Sequence, residues 1–366
     1  MKKLIKYILL APIILIVFVL VGFFLLVLFY KPFGDSLSRA DKEDYAKRSS
    51  IFKNGKFQSA SFNDNFVDQY KDRKDNKGSV PVDEIPVVDY KYTKASKDDI
   101  YMTWFGHSSS LIQIDGLNIL TDPIFEDRSS PFSFVGPKRF SKIPVSIQDL
   151  PNIDVVLLTH DHYDHVAYNT LKELKNKVAK FIVPLGIDKD LIKFGIDKDK
   201  IQNMAWWEET KVKDLTIACT PAQHFSGRFI LDGGNALWSS WIIKSDNYTI
   251  FNSGDTGYSN HFKEISEKYD IDFAMLDGAQ YNEAWHSIHM FPEESVQATI
   301  DLKAKVSMLE HFGAFVLSNH SWDDPINRFS IEAKEKNINY ITPLIGETVN
   351  LKEYQNYQTE WWKDIK

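Results

Sequence analysis

Two classes of protein are argued against by what the chain lacks. It has one cysteine, Cys219, which can form no internal disulfide. Within Leu215-Thr216-Ile217-Ala218-Cys219 it reads as a small core residue rather than a nucleophile, and it says nothing about redox compartment. A basic excess is missing too. Lys and Arg number 43 against 50 Asp and Glu, a net charge of −7 at pH 7, and no basic groove is evident, so no nucleic-acid partner is expected. No internal repeat is apparent, and the length fits one large domain or two small ones.

Charge is missing altogether from residues 7–30, which are almost wholly Leu, Ile, Val and Phe. That is more than the roughly 20 residues a helix needs to span a bilayer, so one N-terminal transmembrane helix is expected. A cleavable signal peptide competes, but its apolar core runs to about 7–15 residues before a small-residue cleavage site, whereas here Lys31-Pro32-Phe33-Gly34 follows. Lys2, Lys3 and Lys6 precede the run and only Lys31 follows closely, which favours a cytoplasmic N-terminus; Arg39, Lys42, Lys47 and Arg48 farther on pull the other way. The expectation is a single-pass cell-membrane protein. Residues 1–31 form a tail and anchor, residues 32–99 a polar juxtamembrane extension with room for a strand or helix of its own, and residues 100–366 a catalytic body on the outer side.

The body opens with strand-like runs at Tyr101-Met102-Thr103-Trp104-Phe105 and Ser110-Leu111-Ile112-Gln113-Ile114, and Asp115-Gly116 before Leu117-Asn118-Ile119-Leu120 is a two-residue hairpin signal. A helix through Leu171 and Leu174, a strand at Lys180-Phe181-Ile182-Val183 and a helix opened by Pro292-Glu293-Glu294 follow. Strands in runs with helices interposed predict a layered α/β body.

Within it lies Thr159-His160-Asp161-His162-Tyr163-Asp164-His165, which reads H-x-H-x-D-H, directly after the buried-strand run Ile153-Asp154-Val155-Val156-Leu157-Leu158. His160 and His162, two apart, can point from one side of an extended segment, while Asp164 and His165 lie where a helix is expected to start. One loop could then serve two adjacent metal ions. Imidazoles with a carboxylate suit zinc, with iron or manganese also possible, and an open coordination position would make the site catalytic. Further ligands are expected at later strand ends. His224 follows Thr216-Ile217-Ala218-Cys219-Thr220, Asp255 follows Thr249-Ile250-Phe251-Asn252, and His311 follows Val306-Ser307-Met308-Leu309-Glu310. Singly, each has an ordinary explanation as a core histidine or a turn aspartate; the order in which they follow the loop argues for a site.

That order resembles the metallo-β-lactamase superfamily, from about Ile100 to the C-terminus. The resemblance implies a four-layered αβ/βα sandwich with a binuclear metal site along one edge of its sheets. It implies that His160, His162 and His224 hold one ion, that Asp164, His165 and His311 hold the other, and that Asp255 bridges them. A histidine at position 162, where di-iron members of the superfamily carry glutamate, favours a zinc hydrolase. Closer still, the body is similar to the N-acylphosphatidylethanolamine-hydrolysing phospholipase D family and its bacterial relatives. Trp104-Phe105-Gly106-His107, Leu120-Thr121-Asp122-Pro123, Gly136-Pro137-Lys138-Arg139-Phe140, Trp206-Trp207-Glu208, Thr220-Pro221-Ala222-Gln223-His224, Ser253-Gly254-Asp255-Thr256-Gly257-Tyr258, His289-Met290-Phe291-Pro292-Glu293-Glu294 and His311-Phe312-Gly313 carry the likeness. Phe225, where that family often has Trp, and Asp277-Gly278-Ala279-Gln280 depart from it.

The implied function is hydrolysis of a phosphodiester, N-acylphosphatidylethanolamine yielding an N-acylethanolamine and phosphatidic acid, with two Zn2+ (or other divalent metals) lowering the pKa of a bridging water toward about 7. Asp164 and Asp255 are the catalytic carboxylates of this reading, Asp164 as proton relay or plain ligand. Asp122 and His107 are expected to orient ligands, although Asp122-Pro123 also reads as a turn. His286 and His289, ahead of a helix, are substrate-contact candidates or cap neighbours. A hydrolase of soluble esters, such as a sugar-phosphate lactonase or phosphodiesterase, and a non-enzymatic membrane-tethered binding protein are the alternatives. The sequence leaves the oligomeric state open.

Overall fold

In the computed structural model the backbone is described for residues 2–59, 78–229 and 232–366. A helix, α1, spans Lys2–Phe29, and its described side chains at positions 14–26 are all exposed, Phe18 at 76%. Among the described residues no helix is long and apolar enough to cross a membrane. Most of the expected span's side chains outside positions 14–26, among them residues 7–9, 11, 13, 27 and 28, lie outside the described residues.

The extension is not a free tether. After a single 3-10 turn at Lys31–Phe33, Ser38 and Asp41 close a capping box that starts α2, Arg39–Arg48. A short hairpin follows, β1 Phe52–Lys53 and β2 Lys56–Phe57. Tyr45, Phe52 and Phe57 are buried against Leu185, Ala222, Leu237 and Trp238 of the body, so the polar stretch docks through three aromatic rings. Residues 60–77 lie outside the described part.

Two mixed sheets make up the body. One comprises β3 Ile100–Trp104, β4 Ser110–Ile114, β5 Leu117–Thr121, β6 Ile153–Leu157, β7 Val178–Pro184, β8 Ile201–Met204 and β15 Thr348–Asn350, in the order β15-β3-β4-β5-β6-β7-β8. The other comprises β9 Glu209–Val212, β10 Leu215–Thr220, β11 Ser240–Lys244, β12 Thr249–Asn252, β13 Phe273–Leu276 and β14 Val306–Leu309, in the order β14-β13-β12-β11-β10-β9. Alternate residues set the layers. Met102, Ile112, Ile119, Val155 and Ile182 of the first sheet meet Ile217, Trp241, Ile250, Met275 and Met308 of the second in one core. The opposite residues of the first sheet, Leu111, Leu120, Val156 and Phe181, pack on α3 Tyr168–Leu174 and α4 Ile187–Phe194. Those of the second, Ile242, Phe251, Ala274 and Leu276, pack on α5 His261–Ser266 and α6 Pro292–Leu302. A further helix, α7 Asp324–Glu335, lies beside α6. Strands buried on both faces cannot show polar alternation, which is why β5 and β6 read as nearly continuous apolar runs.

Local sequence decides several joints as expected. Asp115 and Gly116 sit at φ 50° and 73°, the doubly left-handed backbone of a type I′ turn, and pair Ile114 with Leu117. Pro292 is in the first turn of α6, followed by Glu293 and Glu294. Cys219 is buried in the core between the sheets. One joint differs from expectation: α3 begins at Tyr168, not at Asp164. Backbone bonds from His165 and Val166 to the His162 carbonyl close a single turn, and then Ala167 adopts extended dihedrals, which stops that turn from running into the helix.

Candidate metal centre

In both sheets the strands that point the same way end along one edge. β3, β5 and β6 are mutually co-directional, as are β10, β12, β13 and β14. Past their C-terminal ends come His107 (β3), Asp122 (β5), His160 to His165 (β6), His224 (β10), Asp255 (β12), Asp277 (β13) and His311 (β14). The edge is sewn together across the two sheets. Trp241 Nε1 donates to the Leu158 carbonyl at 2.8 Å and Ser239 N–H to that of Thr159 at 2.9 Å. At Gly254, φ +55°, an added Cβ would stand 2.6 Å from Thr159 Cβ, so the Asp255 loop closes on the histidine loop only because it carries glycine there.

These residues form two donor groups that meet at one oxygen. His160 Nε2 lies 2.9 Å from His162 Nδ1, which is 3.2 Å from His224 Nε2. Asp255 Oδ2 is 3.6 Å from His160 Nε2 and 3.9 Å from His224 Nε2. In the other group, Asp164 Oδ2 is 2.8 Å from His107 Nε2, 3.2 Å from His311 Nε2 and 3.5 Å from His165 Nε2. The same Asp255 oxygen reaches this group as well, 3.2 Å from His165 Nε2 and 3.4 Å from His311 Nε2. Each group brings four ligand atoms within 4.8 Å of one another.

The donor set fits cations. Inward-facing imidazole nitrogens at such distances need either a shared proton or a positive ion between them. Among the described residues His165 Nε2 and Asp255 Oδ1 are buried without a hydrogen-bond partner, a state that costs on the order of 1–3 kcal/mol unless something fills it. The outer ring nitrogens are occupied. His165 Nδ1 meets Asp122 Oδ2 at 2.8 Å, His224 Nδ1 the Ile288 carbonyl at 3.0 Å, His160 Nδ1 the Thr159 hydroxyl at 3.0 Å, and His311 Nδ1 Asp277 Oδ1 at 3.2 Å. Four rings are therefore turned with Nε2 inward, the orientation a ligating histidine takes from its outer partner.

Charge in the edge is arranged to match. Burial holds His160 and His224 well below the usual imidazole range, reinforced by neighbouring imidazoles, and holds His162 down at about 4. All three are neutral donors at pH 7. Burial also opposes the charge on His165 and His311, yet the carboxylates around them win: His165 rises well above its ordinary value and His311 to about 10. Burial likewise opposes ionisation of Asp164 and Asp255, but the surrounding histidines, His165 foremost, hold both well below the carboxylate range. Two buried carboxylates thus draw positive charge to the second group.

Of the residues expected from sequence, His160, His162, His224, Asp164, His165, Asp255 and His311 converge here. His107 and Asp122 adjoin them, His107 within the second donor group and Asp122 accepting from Thr159 N–H, the Thr159 hydroxyl and His165. His107, Asp122 and His311 also have positive φ, at 57°, 36° and 71°, a backbone cost that clusters at functional sites. His289 is brought in, Nδ1 2.9 Å from Asp277 Oδ2 and its ring stacked 5.3 Å from that of His311. His286 is not: it pairs with Glu294 at 2.8 Å on an exposed surface and joins none of the three metal-capable groups among the described residues. The acidic first turn of α6, which caps the helix, captures it instead.

Three buried groups received no role in the sequence reading. Asp277 accepts from Thr256 N–H and Gly278 N–H and contacts both His289 and His311. It follows the apolar strand Phe273–Leu276 as Asp255 follows its own, and that signal could have found it. Glu310 lies beneath the site, its carboxyl pushed well above the usual range by burial and by Asp122. Arg228, 4% exposed, sits four residues after His224.

Residues 117–312 match the beta-lactamase superfamily domain. An uncharacterized protein of Mycobacterium tuberculosis is 36% identical over 290 residues, 78% of this chain and 77% of that one. N-acyl-phosphatidylethanolamine-hydrolyzing phospholipase D 1 of Caenorhabditis elegans is 32% identical over 294 residues, 75% of this chain and 82% of its own length. A solved metallo hydrolase from Ignicoccus hospitalis superposes with a TM-score of 0.54 at 24% identity, over 68% of this chain and 97% of that one, a likeness of fold alone.

Proposed function

Since this chain belongs to the metallo-β-lactamase superfamily and is a hydrolase of that fold, we propose that it is a binuclear metal enzyme that cleaves a phosphodiester, N-acylphosphatidylethanolamine foremost. The observation that carries the reading is Asp255 Oδ2, a member of one four-residue donor group that also lies 3.2 and 3.4 Å from two histidines of the other. The phospholipid is suggested by the printed name of the nematode relative.

His160, His162 and His224 would hold one ion, Asp164, His165 and His311 the other, with Asp255 between the two groups. When bound, two Zn2+ supply Lewis-acid charge to a phosphodiester oxygen and acidity to water. The chain's own residues do the rest. Asp122 and Asp277 fix the rings of His165 and His311. Asp164, with a side chain 10% exposed against 2% for Asp255, is the carboxylate placed to take or give a proton at an oxygen arriving from solvent. His289, its Nδ1 tied to Asp277, offers Nε2 to a substrate oxygen.

α1 is assigned here as the membrane anchor, with a cytoplasmic N-terminus and the body on the far side. Residues 7–30 carry no charge, and the side chains of α1 at positions 14–26 are apolar and exposed. A reporter fused after Lys366 and active only in the cytoplasm would reverse that orientation. The activity is tested with the full chain in mixed micelles, offering N-acylphosphatidylethanolamine, a soluble phosphodiester and a lactone side by side. Lipid turnover that chelation abolishes and zinc restores supports the proposal. Two bound metals with turnover of a soluble ester only would move the substrate and keep the centre.

A further inference from the structure

Arg228 is a buried cation outside both donor groups. Its position is on the loop that leaves His224, and its reach is into the loop that carries His160 and His162. Nη1 donates to the Asp161 carbonyl at 2.5 Å and to the Val166 carbonyl at 2.9 Å. Those two carbonyls bracket the stretch holding His162, Asp164 and His165. The guanidinium lies over the Tyr163 ring, 4.4 Å from its centroid, and the Tyr163 hydroxyl donates back to the Arg228 carbonyl. A second strap runs alongside, from Gly227 N–H to Asp161 Oδ1 at 2.8 Å. Nε faces the other way and donates to the Pro32 carbonyl at 3.0 Å, in the segment that leaves α1. Beside it Asp35 N–H donates to buried Asp190 Oδ1 at 2.7 Å. Among the described residues Nη2 is buried without a partner.

A buried guanidinium is costly to leave part-satisfied, and loops rarely carry one for packing alone. Here its fixed fork joins two loops that are otherwise 62 or more residues apart in sequence. We propose that Arg228 is a positioning residue: it sets the spacing between His224 and the His160/His162 pair, and ties the segment leaving α1 to that triad. The inference rests on the metal-centre reading. It predicts an asymmetry. The triad, with all three histidines on the two strapped loops, depends on Arg228 the more, whereas the remaining group shares Asp164 and His165 with the strapped loop but takes His107 and His311 from other strand ends.

The test is zinc affinity of the full chain in detergent, by competition with a chromophoric chelator, with thermal unfolding of the metal-free chain alongside. Arg228→Ala is expected to weaken one of the two ions by about 10–100-fold, the range for loss of a group that orients a ligand, and Arg228→Lys to recover part of that loss. In a His224→Ala background, where the triad is already broken, adding Arg228→Ala should change the remaining affinity by less than about threefold. Should Arg228→Ala fail to fold, Arg228→Lys and Asp161→Ala, which removes the parallel strap, are expected to weaken the same ion more than the other. Wild-type affinity for both ions in Arg228→Ala, or in the latter pair, overturns the inference and leaves the metal centre standing. So does an equal loss at both ions. A wild-type chain that binds no zinc overturns the centre and the inference together.

Discussion

The two halves of the body deliver their metal-capable residues in different ways. The first half gives His160, His162, Asp164 and His165 in one loop after β6, with only His107 added from the end of β3, so the spacing of those four is covalent. The second half gives His224, Asp255, Asp277 and His311 singly, after four different strands, so their spacing exists only when β10, β12, β13 and β14 lie side by side. The loop is a motif; the rest is a place. The comparison teaches that each half is insufficient: the loop has no carboxylate that faces both donor groups, and the second half has no histidine pair.

Asp255 is where the halves meet, and its loss breaks the comparison most severely. Asp255→Asn is expected to lower turnover at least about a thousandfold and to reduce bound zinc while the fold persists; metal analysis beside far-UV circular dichroism checks it. His162→Ala should act in the same direction from the other half. Full activity in either variant would end the proposed mechanism.

Asp277→Asn tests whether the second half relies on orientation. Losing the carboxylate that contacts His311 and His289 should cost about 10–100-fold in zinc affinity or turnover. A loss confined to KM would assign Asp277 to substrate binding through His289 alone.

A weaker effect separates stability from the site. Burial holds His261 down at about 3 against about 6.5 in the unfolded chain. The unfolded state therefore binds the extra proton below pH 6.5, and stability is lost as pH falls from about 6.5 toward about 3. Between pH 7 and 5 the native chain should lose about 2 kcal/mol more than His261→Gln does. Denaturant titrations at the two pH values measure it, and equal losses would contradict it.

Glu310 gives the smallest expected change. It follows a strand of the second half, and burial pushes its carboxyl well above the usual range. Glu310→Gln should alter stability by less than about 1 kcal/mol and leave zinc binding intact. Loss of metal would show that this acid, too, belongs to the centre.

How much was legible follows the same division. The Asp115-Gly116 hairpin and the start of α6 at Pro292 were readable because each is decided by the backbone preferences of one or two residues. His286 and His289, three apart in sequence, could not be told apart: Asp277 on another strand receives one and Glu294 of α6 the other. Arg228 was missed because it belongs to no local pattern and acquires its role from groups tens of residues away; Asp277 does follow an apolar strand, but its role comes from Thr256, His289 and His311.

By itself, then, the sequence determined the layered α/β body, through apolar runs and turn residues, and the metal-ligating character of residues 159–165, through donors crowded into one loop. Only the tertiary structure decided which oxygen faces both donor groups, which carboxylate holds which ring, and that the segment after α1 is fastened to the site through Arg228. The physical reason is range. Torsional preference and side-chain period act over a few residues, whereas coordination and buried charge depend on distances of 3–4 Å, which close packing of the two sheets alone sets.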